Sequence, residues 1–132
     1  MVLDTSAILA IFLNEPEREA FLSAIISAPG KLISVATVLE AGIVLEARKG
    51  EAAGRELDLF LHAAAIELVA VDAEQLEFAR VAYRKFGKGR HPAGLNFGDC
   101  FSYALAQSSG LPILAKGDDF RKTDLAMANA KS

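Results

Sequence analysis

Acidic residues follow two apolar runs that are good candidates for buried strands. Asp4 comes directly after Met1-Val2-Leu3, and Asp118 and Asp119 come shortly after the run 111–115. Short apolar runs of this kind are typical of parallel strands that are covered on both faces. Because open α/β sheets bind their ligands at the carboxyl ends of such strands, we expect Asp4 and one of Asp118 or Asp119 to reach the same sheet edge.

Two further acids, Glu40 and Asp99, lie in segments with helical character. Glu40 has no cation three or four residues away with which to form a surface ion pair, and glutamate is rare in protein cores. Asp99 falls three residues after Asn96, the predicted helix cap, where an acid also favours the helix dipole. Asp4 has a similar structural interpretation as the cap of the first helix. Each acid alone has an ordinary explanation, but a group of them without basic partners is costly unless a cation fills it.

A divalent metal ion would explain why the candidate site consists of carboxylates. Mg²⁺ and Mn²⁺ prefer oxygen ligands and keep several bound waters. One or two such ions activate a water molecule and stabilise the leaving oxygen in phosphodiester hydrolysis. The other reactive side chains suggest no competing mechanism. His62 is predicted on a helix surface, His91 in a loop facing phosphate or solvent, and Cys100 on a helix as a small buried residue.

Strands and helices alternate along the whole chain, which predicts a parallel sheet with right-handed crossovers. The third helix is rich in apolar residues on all sides and is expected to be largely buried. The tail 127–132 is small and polar and is expected to fray. Predicted strands span 1–3, 31–34, 66–71 and 111–115, and predicted helices span 5–13, 14–28, 34 or 37 to 49, 51–65, 73–86 and 96–109.

The composition describes one domain, residues 1–132, with a substantial core. The length of 132 residues suits a single domain. A content of 52% hydrophobic residues and a mean hydropathy of +0.29 fit a covered sheet and an apolar dimer face. No apolar run reaches the roughly 20 residues of a membrane span, and no basic leader precedes the first strand, so we expect a cytoplasmic protein. The single cysteine excludes an intramolecular disulfide and a cysteine-based zinc site.

Four blocks of the sequence carry a family pattern in their order and spacing. They are Met1-Val2-Leu3-Asp4-Thr5-Ser6-Ala7, Glu40-Ala41-Gly42, Leu95-Asn96-Phe97-Gly98-Asp99-Cys100-Phe101-Ser102-Tyr103-Ala104 and Leu114-Ala115-Lys116-Gly117-Asp118-Asp119-Phe120. Together these blocks resemble PIN-domain ribonucleases, and more narrowly the VapC toxins of bacterial toxin–antitoxin pairs. The resemblance covers nearly the whole chain, and its third block is the most specific.

The resemblance implies a three-layer α/β/α sandwich around a central parallel sheet, a Mg²⁺ or Mn²⁺ cofactor and endonucleolytic cleavage of RNA. It also implies a homodimer and a VapB-like antitoxin that inhibits the nuclease. Carried over to this chain, Asp4 and Asp99 would be the core metal ligands, and Glu40 would complete or orient the site. Thr5 or Ser6 would hold a metal-bound water.

The fourth acid of the implied site is one of two neighbours, Asp118 and Asp119. Spacing in this region varies across the family, so the resemblance does not choose between them. Asp118 is the preferred candidate, because Asp119-Phe120 has the character of the structural start of the following turn.

Two other functions are compatible with parts of the pattern. A receiver-like phospho-acceptor domain has a similar size, a parallel sheet and an acidic Mg²⁺ pocket, and Lys116 after a late strand would suit it. Such a domain needs adjacent acids after its first strand, whereas Thr5 and Ser6 follow Asp4, and it has no need of Glu40. A non-catalytic RNA-binding domain of the same fold is the other alternative, and the intact acids argue against it.

A basic segment precedes the third block in a chain whose net charge is −3. Arg84, Lys85, Lys88 and Arg90 have no acid between them, and we predict that they contact the RNA backbone. Arg84 and Lys85 also suit a helix C-terminus, where cations favour the dipole, whereas Lys88 and Arg90 lie beyond that helix. The glycine-rich stretch 87–94 is expected to be flexible and to follow a phosphate chain.

Overall fold

Residues 1–129, the part of the chain that the computed structural model describes, form a four-stranded parallel sheet with six α-helices. Within these residues, no helix combines the length and the apolarity that crossing a bilayer requires. The strands are β1 (Val2–Leu3), β2 (Leu32–Ser34), β3 (Glu67–Val69) and β4 (Ile113–Leu114), and a 3₁₀ helix spans Phe120–Lys122. The helices are α1 (Thr5–Phe12), α2 (Arg18–Ser27), α3 (Val35–Lys49), α4 (Glu51–Ala63), α5 (Ala73–Phe86) and α6 (Phe97–Ser109).

The sheet has the strand order β3-β2-β1-β4, and every neighbouring pair is parallel. β1 therefore lies inside the sheet and pairs with both β2 and β4. Strands are added on one side of β1 as far as β3, and the chain then crosses to the other side to form β4. This reversal brings the carboxyl ends of β1 and β4 together, at the point where a doubly wound sheet opens a crevice for ligands.

Side chains that alternate along the strands divide the core between the two faces of the sheet. Leu3 and Leu114 belong to the cluster formed with α1, α2, α3 and α4. Val2 packs with Leu105 of α6, and Ile113 packs with residues of α5 and α6. The four strand residues are fully buried, which explains why the strands read as continuous apolar runs. The predicted three-layer α/β/α sandwich is confirmed.

Helix α3 is less buried than its sequence predicts. Val35, Leu39 and Ile43 lie one turn apart on its outer face and are 42%, 65% and 60% exposed. Ala41 and Leu45 fill the inner face. The prediction of a largely buried helix is wrong. An apolar composition on all sides does not distinguish a helix buried in its own domain from one with an exposed apolar face that a partner can cover.

Two segments differ from their predicted structure. Asn14 does not cap the second helix: it follows the end of the first with a positive φ of 53°, and α2 begins at Arg18. The segment 127–129 was expected to fray but runs beside β4, where the Ala128 N–H donates to the Ile113 carbonyl at 2.7 Å. The rest of the predicted frayed tail lies outside the described residues.

Candidate active site

Asp4 lies at the carboxyl end of β1 and begins α1. Its Oδ2 accepts hydrogen bonds from the Ser6 N–H at 3.0 Å and the Ser6 Oγ at 2.8 Å, and its Oδ1 accepts from the Ser102 Oγ at 2.6 Å. Only 3% of the residue is exposed. Asp4 is therefore both a helix cap and a buried carboxylate whose direction is fixed through both oxygens.

Ser102, on α6, is a site residue that the sequence analysis missed. Its buried hydroxyl lies between Asp4 and the Thr37 Oγ1, which is 3.4 Å away. Because Ser102 donates its one hydroxyl hydrogen to Asp4, Thr37 is the donor in the second bond. The available signal was spacing, since Ser102 follows Asp99 by three residues and lies on the same side of the helix.

The Ser6 hydroxyl joins the ends of β1 and β4. It donates to Asp4 and accepts the Lys116 N–H at 2.9 Å, so it fixes the start of the loop that follows β4. The Lys116 ammonium lies 3.2 Å from Glu15 and 3.7 Å from Glu17. The charge of Lys116 is thus paired with acids outside the candidate site.

Glu40 reaches the site from α3 and is held by two other helices. The Thr5 Oγ1, at the start of α1, donates to the Glu40 Oε1 at 2.5 Å. On its other side the carboxylate lies against the backbone of Gly98, in the first turn of α6. Among residues 1–129, no cation forms an ion pair with Glu40, which agrees with the absence of a suitable cation in the sequence around it.

Asp99 forms a capping box with Asn96 at the start of α6. The Asn96 side chain accepts the Asp99 N–H at 2.9 Å, and the Asp99 Oδ2 accepts the Asn96 N–H at 3.0 Å. Burial, opposed by the Asn96 N–H and reinforced by the charges of Asp4, Asp119 and Glu40, raises the pKa of Asp99 from 3.8 to about 6. Asp99 is a helix-capping residue, and it also shares one electrostatic environment with three other acids.

The two adjacent acids after β4 have different surroundings. The Asp118 Oδ1 lies 3.8 Å from the Arg121 Nε in an exposed ion pair, whereas Asp119 adds its charge to that felt by Asp99. Asp119 begins the 3₁₀ helix but makes no side-chain hydrogen bond to cap it. Of the two neighbours, Asp119, the alternate candidate from the sequence, is thus the acid whose charge acts on Asp99.

The oxygen atoms of this cluster suit a hard divalent cation, although they do not surround one. Within residues 1–129, no three Asp, Glu, His or Cys side chains converge closely enough to hold a single ion. Mg²⁺ usually takes only one or two carboxylates from a protein and keeps waters as its other ligands. The site offers carboxylates whose mutual repulsion a cation would relieve. The donor set therefore fits Mg²⁺ or Mn²⁺ with a largely aqueous shell.

The basic segment is more ordered than its glycine content predicts. The Lys88 N–H donates to the Leu95 carbonyl, and the Arg90 N–H donates to the Gly87 carbonyl, both at 2.9 Å. Gly89 has a φ of 84° and permits the tight turn between them. The expected flexible loop is instead a hydrogen-bonded turn that presents the exposed side chains of Lys88 and Arg90.

The remaining reactive side chains have structural roles or lie away from the acids. The His91 Nδ1 accepts the Ala93 N–H at 3.0 Å, and its ring packs edge-on against Phe86 at 5.1 Å. His91 is only partly buried, so its predicted contact with phosphate or solvent stays a prediction. His62 is exposed on α4, and Cys100 is buried on α6, as predicted.

An apolar surface lies beside the acids. Phe97 is 80% exposed and packs edge-on against Phe101 at 5.0 Å. These two rings line both an apolar groove against α3, with Leu39 and Ile43, and another against α5, with Leu76. Contiguous exposed apolar surface of this kind marks protein–protein contacts.

The fold and the order of these residues match a known family. The model of the PIN domain matches residues 1–125 of this chain. The chain belongs to the PIN-domain family. Ribonuclease VapC from Mycolicibacterium smegmatis is 58% identical over 126 residues, which cover 96% of this chain and 98% of that protein. The resemblance to PIN-domain proteins of the VapC type is confirmed.

Solved structures with the PIN fold include two close matches to this chain. VapC20 from Mycobacterium tuberculosis, a sarcin–ricin loop cleaving toxin, superposes with a TM-score of 0.77 and 19% identity over 95% of both chains. A chain of VapBC2 from Rickettsia felis, bound to a DNA fragment from its promoter, superposes with a TM-score of 0.75 and 14% identity over 98% of both chains. At these identities the likeness establishes the PIN architecture.

Proposed function

We propose that this PIN-domain protein is a Mg²⁺- or Mn²⁺-dependent endoribonuclease and the toxin of a toxin–antitoxin pair. The observation that carries the proposal is the group of acids near the adjoining ends of β1 and β4, where burial and, to a smaller extent, the charges of Asp4, Asp119 and Glu40 raise the pKa of Asp99 to about 6. The similarity to ribonuclease VapC of M. smegmatis supports RNA as the substrate. Phosphodiester hydrolysis by carboxylate-bound metal ions is the chemistry that such a site performs.

The acids of the site would bind the metal ion and accept a proton. Asp4 and Asp99 would hold the ion, and Asp119, with Asp118 as the second choice, would complete the site. A bound Mg²⁺ or Mn²⁺ supplies a Lewis acid for the phosphate and lowers the pKa of a coordinated water. Glu40 would complete or orient the metal site, and it is also an acid that could accept a proton from the attacking water.

Hydroxyl groups orient these acids before substrate binds. Ser6 and Ser102 hold the two oxygens of Asp4, and Thr5 holds Glu40 through Oε1. Thr5 and Ser6 each donate their hydroxyl hydrogen to a carboxylate, so we assign them to positioning the acids. Their role would then differ from the water-holding role that the family pattern suggests.

The two alternative functions receive less support. A receiver-like phospho-acceptor site needs adjacent acids after its first strand, whereas Thr5 and Ser6 follow Asp4. The match to the PIN domain also separates this chain from receiver domains. A non-catalytic RNA-binding protein would have no use for a costly group of like charges.

Incubation of the pure protein with total RNA tests the proposed function. Fragments with discrete ends should form with Mg²⁺ or Mn²⁺ and disappear with chelator, and end-mapping would identify the cleaved sites. Induced expression should arrest bacterial growth, and co-expression of the antitoxin should relieve the arrest. A folded protein that cleaves no RNA with either metal would contradict the nuclease. Cleavage in vitro with harmless expression would contradict only the toxin role.

We also propose that the protein is a cytoplasmic homodimer that binds a VapB-like antitoxin. The exposed apolar residues of α3 and α6, Leu39, Ile43 and Phe97, support a protein contact on this side of the molecule. The likeness in fold to a chain of the VapBC2 complex supports the antitoxin. Light scattering of the protein alone should give twice the chain mass of 14.0 kDa, and a monomer at micromolar concentration would contradict the homodimer.

The basic segment is proposed to hold the RNA backbone. Lys88 and Arg90 are exposed on the turn, and Arg84 and Lys85 extend the positive surface along the last turn of α5. Replacing Lys88 and Arg90 with Ala should weaken binding to many RNA sequences. It should also flatten the log–log salt dependence by about 0.7 for each phosphate of a single strand that the protein no longer neutralises. Cleavage positions should not change, because phosphate contacts do not read bases.

Affinity would be measured against salt concentration in protein that carries Asp99→Asn, so that the RNA stays intact. A matched control removes two exposed cations elsewhere, Arg48 at the end of α3 and Arg55 on α4. The control separates a specific contact from the change in net charge. An unchanged salt slope in the Lys88 and Arg90 double variant would exclude this segment from the RNA contact.

A further inference from the structure

The carboxylate of Glu40 lies so close to Gly98 that a larger residue does not fit beside it. A Cβ at position 98 would lie 2.5 Å from the Glu40 Oε2, 2.6 Å from Oε1 and 2.8 Å from Cδ. Gly98 stands in the first turn of α6 with an ordinary helical backbone. The backbone conformation therefore does not require glycine here, and the approach of the Glu40 carboxylate does.

This contact lies directly beside a second site acid. Gly98 directly precedes Asp99, whose pKa is raised in part by the charge of Glu40. The Thr5 Oγ1 binds the Glu40 Oε1 at 2.5 Å, so the carboxylate is confined between a hydroxyl of α1 and the backbone of α6. A methyl group at position 98 would push the end of the Glu40 side chain away from its place beside Asp99.

We propose that Gly98 is a positioning residue that sets the approach of Glu40 to Asp99 and thereby the affinity of the site for a divalent cation. This role rests on the proposed metal-dependent function. Only the far end of a flexible side chain has to move to accommodate alanine, and alanine is a better helix former than glycine. Gly98→Ala therefore alters the site while α6 is preserved.

The Gly98→Ala variant should lose activity and metal affinity without losing stability. Its melting temperature in chelator should equal or exceed that of the wild type. Its kcat for RNA cleavage should fall on the order of 100-fold, the effect of displacing a reacting group by about 1 Å, with little change in KM. The Mn²⁺ concentration that gives half of the metal-induced thermal shift should rise about tenfold or more, as for other residues that orient metal ligands.

Gly54→Ala is a matched control, because Gly54 touches a glutamate in the same way. A Cβ at position 54 would lie 2.6 Å from the Glu46 Oε2 and 2.9 Å from its Cδ. This contact joins α3 and α4 and involves none of the proposed site acids. Gly54→Ala should leave both cleavage and the Mn²⁺ titration unchanged, so losses confined to Gly98→Ala would arise from Glu40.

Shortening Glu40 completes the test. Glu40→Asp should reduce cleavage in the wild-type background but increase it in the Gly98→Ala background, where the shorter side chain leaves room for the methyl group. Equal losses in both backgrounds, or a Gly98→Ala protein with the wild-type Mn²⁺ titration, would overturn the proposal. The thermal shift needs no catalysis. If the wild-type protein bound Mn²⁺ but cleaved no RNA, the proposed function would be contradicted. The role of Gly98 would then be decided by the Mn²⁺ titrations of the wild type and Gly98→Ala.

Discussion

RNA cleavage should fall below detection in the Asp99→Asn variant, while its melting temperature in chelator should be no lower than that of the wild type. The amide keeps an oxygen that can accept the Asn96 N–H. It carries no charge with which to bind a metal ion or to repel Asp4, Asp119 and Glu40. Loss of activity with a gain in stability is the behaviour expected of a residue placed for function at the expense of the fold.

The gain in stability should depend on pH in a defined direction. The pKa of Asp99 is about 6 in the folded protein against an ordinary value of 3.8, so the folded state holds this proton more tightly than the unfolded chain. The protonated Asp99 side chain therefore stabilises the folded wild type most at about pH 4 and below, and this contribution is lost as the pH rises to about 6. Above about pH 6 the ionised side chain destabilises the fold by a constant amount. The variant and the wild type should melt together near pH 4 and diverge most above pH 6.

Thermal melts in chelator across this pH range would measure the effect, with Asp58→Asn as the control. Asp58 is an exposed acid on α4, and its replacement should not produce the same divergence. Added Mn²⁺ should raise the melting temperature of the wild type more than that of Asp99→Asn, because the metal binds the folded state of the wild type more tightly. Undiminished cleavage by Asp99→Asn would remove Asp99 from the site.

Asp4→Asn should also abolish cleavage, but in this case the fold should be weakened. Asp4 is 3% exposed and accepts hydrogen bonds from Ser6 and Ser102 through both oxygens. An asparagine amide has only one oxygen, so either the Ser6 N–H loses its acceptor or the Ser102 hydroxyl has to reverse and accept from the N–H₂ group. Leaving a buried polar group unpaired costs about 1–3 kcal/mol, and the melting temperature should fall by several degrees.

A double-mutant cycle would show whether the reduced stability arises from this hydrogen bond. Ser102→Ala removes the donor that faces Oδ1 of Asp4. The combined variant should therefore be destabilised by less than the sum of the two single variants. Strict additivity, or an Asp4→Asn protein as stable as the wild type, would contradict the buried hydrogen-bond network around Asp4.

The site residues that can be predicted from the sequence are those with strong signals in their immediate sequence neighbourhood. Asp4 ends an apolar strand, Asp99 follows a helix cap, and Glu40 lacks a cationic partner along its helix. Ser102 gave no comparable signal, since a serine on a small-residue helix looks the same whether it faces a core or a carboxylate. The sequence does not distinguish Asp118 from Asp119, because which of the two acids lies near Asp99 depends on how the turn after β4 packs against α6.

The same limit applies to the fold. Alternating strands and helices predict a parallel sheet, but they do not say that β4 returns to the far side of β1. In α3, Leu39 and Ile43 are as apolar as Ala41 and Leu45, and periodicity alone cannot tell an inner face from an outer one. The glycine-rich stretch likewise suggests a flexible loop, because its sequence does not indicate the backbone hydrogen bond between the Lys88 N–H and the Leu95 carbonyl.

The hydrogen bonds that assemble the acids join parts of the chain that are made at very different times. Asp4 and Ser102 are 98 positions apart, and Ser6 and Lys116 are 110 positions apart. Along this sequence β1 is synthesised long before β4, which is one of its two neighbours in the sheet. A nascent chain that has not yet reached α6 contains Asp4 but lacks both Ser102 and the strand β4. On the proposed function, the carboxylate of Asp4 would therefore be fixed in place only after α6 and β4 have been synthesised and packed against β1.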